Sequence, residues 1–136
     1  MKIKLEKKAI MPVRAHTNDA GLDLFSPVDA TIPAGDQITI DTGVHVEIPV
    51  GYVGFLASKS GLMRKHGITN RGTIDCGYTG SVGAVLFNHG REDYQVHRGD
   101  RITQLVLVPC MTPELEIVDE LDVTERGNHG FGSTGK

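Results

Sequence analysis

Apolar and polar residues alternate most clearly at residues 44–48, where His45 and Glu47 separate Val44, Val46 and Ile48. A period of two predicts a half-buried β-strand, and it stops at Pro49. Other short apolar runs are bounded by Gly, Pro, Asp or Asn: Ile3–Leu5, Leu22–Phe25, Ala30–Ile32, Ile38–Ile40, Tyr52–Leu56, Val82–Phe87, Tyr94–Val96, Ile102–Val108 and Leu115–Val118. Such regular spacing predicts an all-β sandwich, barrel or jelly roll.

One stretch has helical character. Ser60 is predicted to cap a short helix over residues 61–65 that ends at Gly67. The chain shows no internal repeat and no low-complexity linker, so its 136 residues predict a single domain, residues 1–136. No apolar run is long enough for a membrane span, and the N-terminus lacks the apolar core of a signal peptide. We therefore expect a soluble, cytoplasmic protein with no membrane partner.

Composition and charge narrow the function classes. The 14 Lys+Arg against 17 Asp+Glu give a net charge of −3, which argues against general nucleic-acid binding but leaves room for a local basic pocket. Cys76 and Cys110 are predicted to be free thiols, and the six histidines show no zinc-ligand spacing. Seventeen glycines and few aromatic residues predict many tight turns around an aliphatic core.

The C-terminal residues 125–136, ERGNHGFGSTGK, contain a single large apolar side chain, Phe131. Such a segment cannot bury enough surface to offset its ordering entropy, so it is predicted to stay mobile until it binds a ligand. The alternative is a frayed terminus with no role. Residues 130–136 resemble part of a P-loop, but no strand precedes them and no helix follows, so a P-loop is rejected. The hydroxyl groups, Arg126 and the glycine amides of residues 125–136 are nevertheless suited to binding a polyphosphate.

Four further segments are polar or glycine-rich beyond the needs of a β-core: NDAGLD at residues 18–23, SKSGLMRKHG at 58–67, GTIDCGYTG at 72–80 and RGDRITQL at 98–105. The first has the chemistry of a turn, and the second offers cations and hydroxyls to an anion. The third predicts a hairpin that carries a carboxylate, Asp75, and an aromatic platform, Tyr78. Each segment, taken alone, is weak evidence for a function.

In order, these segments and the tail resemble the five motifs of the homotrimeric dUTPase family: AGLDL at 20–24, SKSGLMRKHGI at 58–68, GTIDCGYTG at 72–80, GDRITQL at 99–105 and RGNHGFGSTG at 126–135. The resemblance implies a distorted jelly roll with one short helix and a flexible glycine-rich tail. It implies a homotrimer whose active sites lie between subunits, where the arm at residues 125–136 closes a neighbour's site. The implied reaction converts dUTP to dUMP and pyrophosphate, which keeps uracil out of DNA and supplies dUMP for thymidylate synthesis.

The resemblance also implies a role for each matched residue. Asp75 would orient and deprotonate the attacking water, Tyr78 would pack under the deoxyribose, and Phe131 would stack on uracil. The other substrate-binding residues implied are Lys59, Ser60, Gly61, Asn70, Gly72, Thr73, Ile74, Gly83, Gln104, Arg126, Gly132, Ser133 and Thr134. Mg²⁺ would be bound mainly by the triphosphate of the substrate, and Asp23 would contact the ion through a water molecule.

The chain departs from the family pattern in places. Lys59 stands where many members carry Arg, and Ser81 stands where an acid or amide is frequent. The loop at residues 69–73 is shorter than in some members, which bears on the assignment of Asn70 as a contact to the base. One alternative is a dCTP deaminase on a similar fold, which is disfavoured because Val85 aligns with that family's proton-transferring Glu. A second alternative is a non-catalytic jelly roll that binds a nucleotide or a partner.

Overall fold

The computed structural model describes residues 1–130, and the fold is all-β, as predicted. Within residues 1–130 the strands are β1 (Ile3–Leu5), β2 (Gly21–Phe25), β3 (Ala30–Ile32), β4 (Gln37–Val46), β5 (Tyr52–Ala57), β6 (Ile68–Ile74), β7 (Ser81–Asn88), β8 (Tyr94–Val96) and β9 (Arg101–Pro109), and the one helix is α1 (Ser60–His66). A curled seven-stranded sheet has the order β1-β4-β7-β6-β5-β9-β2, and β3 pairs with β8. All of these pairings are antiparallel. No helix within residues 1–130 is long and apolar enough to cross a membrane.

Two aliphatic clusters form the core. One contains Leu24, Val44, Val46, Ile48, Leu56, Ile74, Val82 and Leu105, and the other contains Ile32, Ile40, Ile68, Ala84, Leu86, Val96 and Ile102. Strands β4 and β7 contribute to both clusters because their inward side chains run past each in turn. Between the clusters on β4, the buried Thr42 hydroxyl donates to the Val82 carbonyl at 2.7 Å, so this polar group is satisfied inside the core.

The predicted strands Ile38–Ile40 and 44–48 are parts of one long region. Strand β4 covers both runs as far as Val46, and its pairing with β7 shifts between Asp41↔Gly83 and His45↔Ser81. Four positions on β4 thus match two on β7, which is a bulge, and Gly43 in it adopts φ +66°. The apparent break between the two apolar runs is this bulge.

Two sequence predictions are wrong in detail. Ser60 does not cap α1, because Lys59 occupies the N-cap with extended backbone angles and makes no capping bond with its side chain. The helix does end at Gly67, which is left-handed at φ 69° and donates its N–H to the Met63 carbonyl. Residues 115–118 form no strand; Leu115 is 96% exposed and Ile117 99% exposed, so the predicted strand has no neighbour within residues 1–130 on which to pair.

Strand β6 was not predicted as a strand. Its inward positions are Ile68, Asn70, Gly72 and Ile74, so a polar residue and a glycine interrupt the apolar side of the alternation. The buried amide of Asn70 is satisfied by other strands, which the sequence alone does not reveal.

Candidate active site

Three of the matched motifs meet at one end of the sheet. The register places Gln104 of β9 opposite Asp23 on one neighbouring strand and opposite Ala57 on the other. The Lys59 Nζ atom lies 2.5 Å from Asp23 Oδ1, and the Gln104 amide donates to the Ser58 carbonyl at 3.3 Å. We call Asp23, Lys59 and Gln104 the cation cluster. The name refers to the Asp23 carboxylate, which lies between two cations, Lys59 and the nearby Arg101.

Asp23 is the buried member of the cation cluster. Its side chain is 4% exposed, Lys59 approaches one of its oxygens, and Arg101 Nη1 lies 3.4 Å from the other. A buried carboxylate is stable only when paired, and here two cations provide the pairing. The role implied for Asp23, a water-mediated contact to Mg²⁺, stays a prediction.

Gly21 leaves the space that the Gln104 side chain occupies. A Cβ atom on Gly21 would lie 2.0 Å from Gln104 Oε1, so this glycine is required by a close approach. Ser60 and Gly61 open α1 beside Lys59 and are exposed, and a Cβ on Gly61 would meet no other atom within 4 Å. The second motif thus presents an open turn next to the cation cluster.

The second group of predicted residues lies on an opened hairpin. Strands β6 and β7 pair only at Ile68↔Asn88, Thr69↔Phe87 and Asn70↔Leu86, whereas Gly72, Thr73 and Ile74 pair with β5 on the other side. Beyond Asn70 the two strands of the hairpin separate. The gap lies between the main chain of residues 72–74 and that of β7 around Gly83, which are among the residues that the family resemblance assigns to substrate binding.

Asn70 holds the point where the hairpin opens. Its Nδ2 donates to the Val85 carbonyl at 2.8 Å, and its Oδ1 accepts from the Thr103 hydroxyl at 2.5 Å. The side chain substitutes for the next rung of the ladder, because Val85 would otherwise face Arg71. Asn70 is buried and its amide is engaged by protein groups, so its predicted contact with the base stays a prediction.

Residues 75–80, which we call the hairpin loop, carry Asp75 and Tyr78. The Tyr78 N–H donates to the Asp75 carbonyl at 3.2 Å across a turn that contains Gly77 at φ 87°. The Asp75 side chain is exposed, and the Tyr78 hydroxyl donates to the Ser81 carbonyl at 3.0 Å, which fixes the ring over Gly80. The predicted hairpin is present, with its carboxylate at the mouth of the gap.

The two groups do not meet within one chain. Gln104 faces Ala57, Ala57 faces Arg71, and Asp75 lies four residues beyond Arg71. With strands about 4.8 Å apart and about 3.3 Å per residue, Asp75 lies roughly 16 Å from Gln104 along the sheet. The hairpin loop and the cation cluster are therefore separate half-sites.

The tail motif is described only in part. Arg126 is exposed and donates through Nε to the His129 carbonyl at 3.2 Å, within a turn at residues 124–129. The predicted tail contacts of Phe131, Gly132, Ser133 and Thr134 lie outside the described residues. Cys76 and Cys110 are free, as predicted.

Sequence reasoning missed several residues that position the site. Thr103 supports Asn70, Ser58 Oγ donates to the Asn70 carbonyl at 2.9 Å, and Arg101 pairs with Asp23. Arg101 and Thr103 fall inside the GDRITQL motif and Ser58 opens the SKSGLMRKHGI motif, and these memberships are the signal that the sequence offers. Their partners lie on other strands and are set by the register.

The comparisons with known proteins agree on one family. A sequence model of the dUTPase family matches residues 7–135 of this chain. The chain is 44% identical to a deoxyuridine 5'-triphosphate nucleotidohydrolase of Gloeothece citriformis, over 97% of this chain and 93% of that protein. It belongs to the dUTPase family.

Solved structures extend the similarity to three dimensions. The dUTPase of Staphylococcus bacteriophage 80alpha, solved with dUpNHpp, is 38% identical and superimposes with a TM-score of 0.93 over 99% of this chain and 98% of that one. A point mutant of the dUTPase from phage phi11 of S. aureus, described with a structural Mg(II) ion, is 34% identical with a TM-score of 0.82, over 88% and 96% of the two chains.

Proposed function

We propose that this chain hydrolyses dUTP to dUMP and pyrophosphate, with uracil bound in the opened β6–β7 hairpin. The observation that carries the proposal is the early separation of β6 from β7 beside Asp75 and Tyr78. Relatives named as deoxyuridine 5'-triphosphate nucleotidohydrolases and a structural neighbour solved with dUpNHpp support it.

The main chain of residues 72–75 and the region of Gly83 would read the edge of the base. Extended backbone presents fixed N–H and C=O groups, which match the donor and acceptor pattern of uracil. Cytosine presents a different pattern and would leave buried groups unpaired, which is a strong form of rejection.

Asp75 would act on the attacking water. Its exposed carboxylate accepts a hydrogen bond from the water and then takes its proton as the oxygen attacks the α-phosphorus. The bond from the α-phosphorus to the bridging oxygen breaks, and pyrophosphate leaves with that oxygen. Tyr78 would support the deoxyribose, and its ring leaves no space for a 2′-hydroxyl.

The triphosphate would lie against the second half-site. Lys59 and Gln104 offer an ammonium and an amide donor, the Ser60 hydroxyl adds a third donor, and Arg126 offers a bidentate fork for the terminal phosphate. Ser133 and Thr134 of the tail would add hydroxyl donors, and Phe131 would stack on the base. Because Lys59 is already paired with Asp23, phosphate oxygens must share or take over this cation.

The residues present fit Mg²⁺ that is carried on the substrate. Residues 1–130 hold no cluster of three His, Cys, Asp or Glu side chains that would bind a metal, and Asp23 is the one carboxylate of the cation cluster. A divalent ion that keeps its waters and binds phosphate oxygens needs no more than this. When bound, it would offset phosphate charge while Lys59, Gln104 and Asp75 orient the reacting groups.

A homotrimer would bring the half-sites together. Asp75 and Gln104 lie far apart in one chain, and residues 110–130 extend without strand or helix. That segment exposes Leu115, Ile117, Leu121 and Val123, each at least 86% accessible, which is apolar surface suited to a neighbouring subunit. We further propose that the reaction takes place in the cytoplasm.

The first experiment measures pyrophosphate release with Mg²⁺ from dUTP, UTP, dTTP and dCTP, by the wild type and by Asp75→Asn. Release confined to dUTP, and lower by about 10²–10⁴-fold in the variant, supports the proposal. A uracil nucleotide formed from dCTP would favour the deaminase. Tight binding without turnover of any nucleotide would leave a binding module.

Shared sites can be tested by mixing two inactive variants. Asp75→Asn keeps the tail, and a chain that ends at residue 125 keeps Asp75. Refolding them together should restore activity if one chain supplies Asp75 and another supplies the tail. If the mixture stays inactive while each variant alone forms trimers, the sites are not shared in this way.

A further inference from the structure

The far end of the hairpin loop is fastened by a residue that the proposed reaction does not use. His45 Nδ1 lies 2.8 Å from the Thr79 carbonyl oxygen, and Nε2 lies 3.1 Å from Glu6 Oε1. The imidazole is mostly enclosed, with its side chain 17% exposed, whereas Glu6 is 54% exposed. A ring held at both nitrogens has a fixed orientation, so Thr79 is fixed as well.

The bulge in β4 brings His45 to this place. The register shift between Asp41 and His45 sets His45 opposite Ser81, directly after the hairpin loop. Asp41 stabilises the bulge by accepting from the Gly43 N–H at 2.9 Å and from the Ser81 hydroxyl. The Glu6 N–H donates to the Gly43 carbonyl at 2.9 Å, so the same bulge also holds the partner of the ring.

We infer that His45 is a positioning residue for the hairpin loop: by binding the Thr79 carbonyl it fixes the short span that carries Asp75 and Tyr78. The inference rests on the proposed roles of these two residues. Only Thr79 and Gly80 separate Tyr78 from β7, and the loop is held at its entrance by the pairing of Ile74 with Gly54. Releasing Thr79 would free the exit and let both side chains drift from their substrate positions.

The charges around the ring favour the doubly donating imidazolium. The bond to the Thr79 carbonyl and then the bond to Glu6 raise the pKa of His45 above its ordinary value of 6.5, against burial and the charge of Lys4. Lys4 faces His45 across β1, and Asp41 lies on the same strand. Lys2 and Glu47, whose charged groups lie 3.0 Å apart, line one pocket together with Lys4, His45 and Thr79. With both nitrogens protonated, the ring donates to Thr79 and Glu6 together.

Three substitutions separate positioning from simple support. His45→Asn places an amide nitrogen where Nδ1 stands, so it keeps the bond to Thr79. His45→Gln places its amide near Nε2, towards Glu6 and away from Thr79, and His45→Leu removes both bonds. We expect kcat to fall by about 10-fold or more in the Leu and Gln variants and by much less in the Asn variant. The ratio of kcat/KM for dUTP over UTP should fall in the same order, because Tyr78 moves with the loop.

His97→Leu is the matched control, since its ring is 73% exposed and far from the loop along the chain. Equal kcat and equal dUTP preference in all three His45 variants would overturn the inference. The inference would also be overturned if the His45→Asn and His45→Leu variants lost kcat equally and in proportion to their losses in melting temperature. If the wild type itself releases no pyrophosphate from dUTP, the proposed function fails instead. Amide hydrogen exchange then still decides: faster exchange at residues 76–80 in His45→Leu supports the anchor, and unchanged exchange overturns it.

Discussion

Lys59 is paired with Asp23, the most enclosed carboxylate of the candidate site, through an Nζ–Oδ1 contact of 2.5 Å. The lysine side chain is 25% exposed, so it faces both the protein and the open turn before α1. Lys59 therefore neutralises Asp23, and in the proposed function it also presents a cation to an incoming phosphate.

Lys59→Met should weaken both purposes. Arg101 alone would face Asp23, so we expect a loss of about 1–3 kcal/mol in the free energy of unfolding together with a higher KM for dUTP. Urea unfolding and steady-state kinetics measure the two effects. Lys65→Met, on the exposed side of the same helix, is the control and should change neither. An unchanged unfolding free energy in Lys59→Met would show that Arg101 suffices.

Tyr78→Phe and Tyr78→Ala separate the ring from the hydroxyl. Phe keeps the aromatic platform and loses only the 3.0 Å bond to the Ser81 carbonyl. We expect it to retain most of the preference for dUTP over UTP. Ala removes the platform and makes room for a 2′-hydroxyl, so kcat/KM for UTP should rise relative to dUTP. Equal preferences in the two variants would rule out the ring as the element that discriminates the sugar.

Asn70→Leu should damage the opened hairpin. Leucine leaves the Val85 carbonyl without this donor, whereas the Thr103 hydroxyl keeps the Ala57 carbonyl at 3.2 Å as an acceptor. A buried polar group left unsatisfied costs about 1–3 kcal/mol. Thr103→Val removes only one side of the interaction and is the milder comparison, and a double-mutant cycle gives the coupling. Discrimination of dUTP against dCTP should fall in Asn70→Leu if the gap closes. Unchanged discrimination would place base recognition elsewhere.

The hydrogen bonds that Asp41 accepts predict a loss of stability in acid. The Ser81 hydroxyl and then the Gly43 N–H lower the pKa of Asp41 below its ordinary value of 3.8. A depressed pKa contributes stability that is present above 3.8 and is lost as the pH falls through the folded-state value. The difference in urea midpoint between the wild type and Asp41→Asn should therefore shrink below about pH 4. A constant difference from neutral pH down to strong acid would contradict this.

His45 predicts the opposite trend at higher pH. Its raised pKa contributes stability that is complete below 6.5 and is lost as the pH rises through the folded-state value. The difference in melting temperature between the wild type and His45→Leu should therefore shrink as the pH rises from 6.5 through the folded-state pKa of His45. A difference independent of pH would mean that the ring does not titrate there.

Several features could be predicted from local pattern because their cause is local. Alternation at residues 44–48 marks a strand, Gly67 marks the end of α1, and the five ordered motifs mark the family. Failures arose where the cause is distant. In strand β6 the apolar alternation is interrupted by the buried Asn70. The partners of its amide, Val85 and Thr103, lie on β7 and β9. Residues 115–118 have the pattern of a strand and no neighbour to pair with in the described chain.

The sequence by itself determined most of the strands, the short helix, the family and the chemical identity of the candidate groups, because these depend on local spacing and side-chain chemistry. Tertiary structure alone decided which groups meet. The register of β2, β9 and β5 sets Asp23 beside Lys59 and Gln104. The bulge in β4 carries His45 to Thr79, and the early separation of β6 from β7 opens the gap. These depend on pairing between distant segments, and shifting a strand by one residue would turn each side chain to the other face.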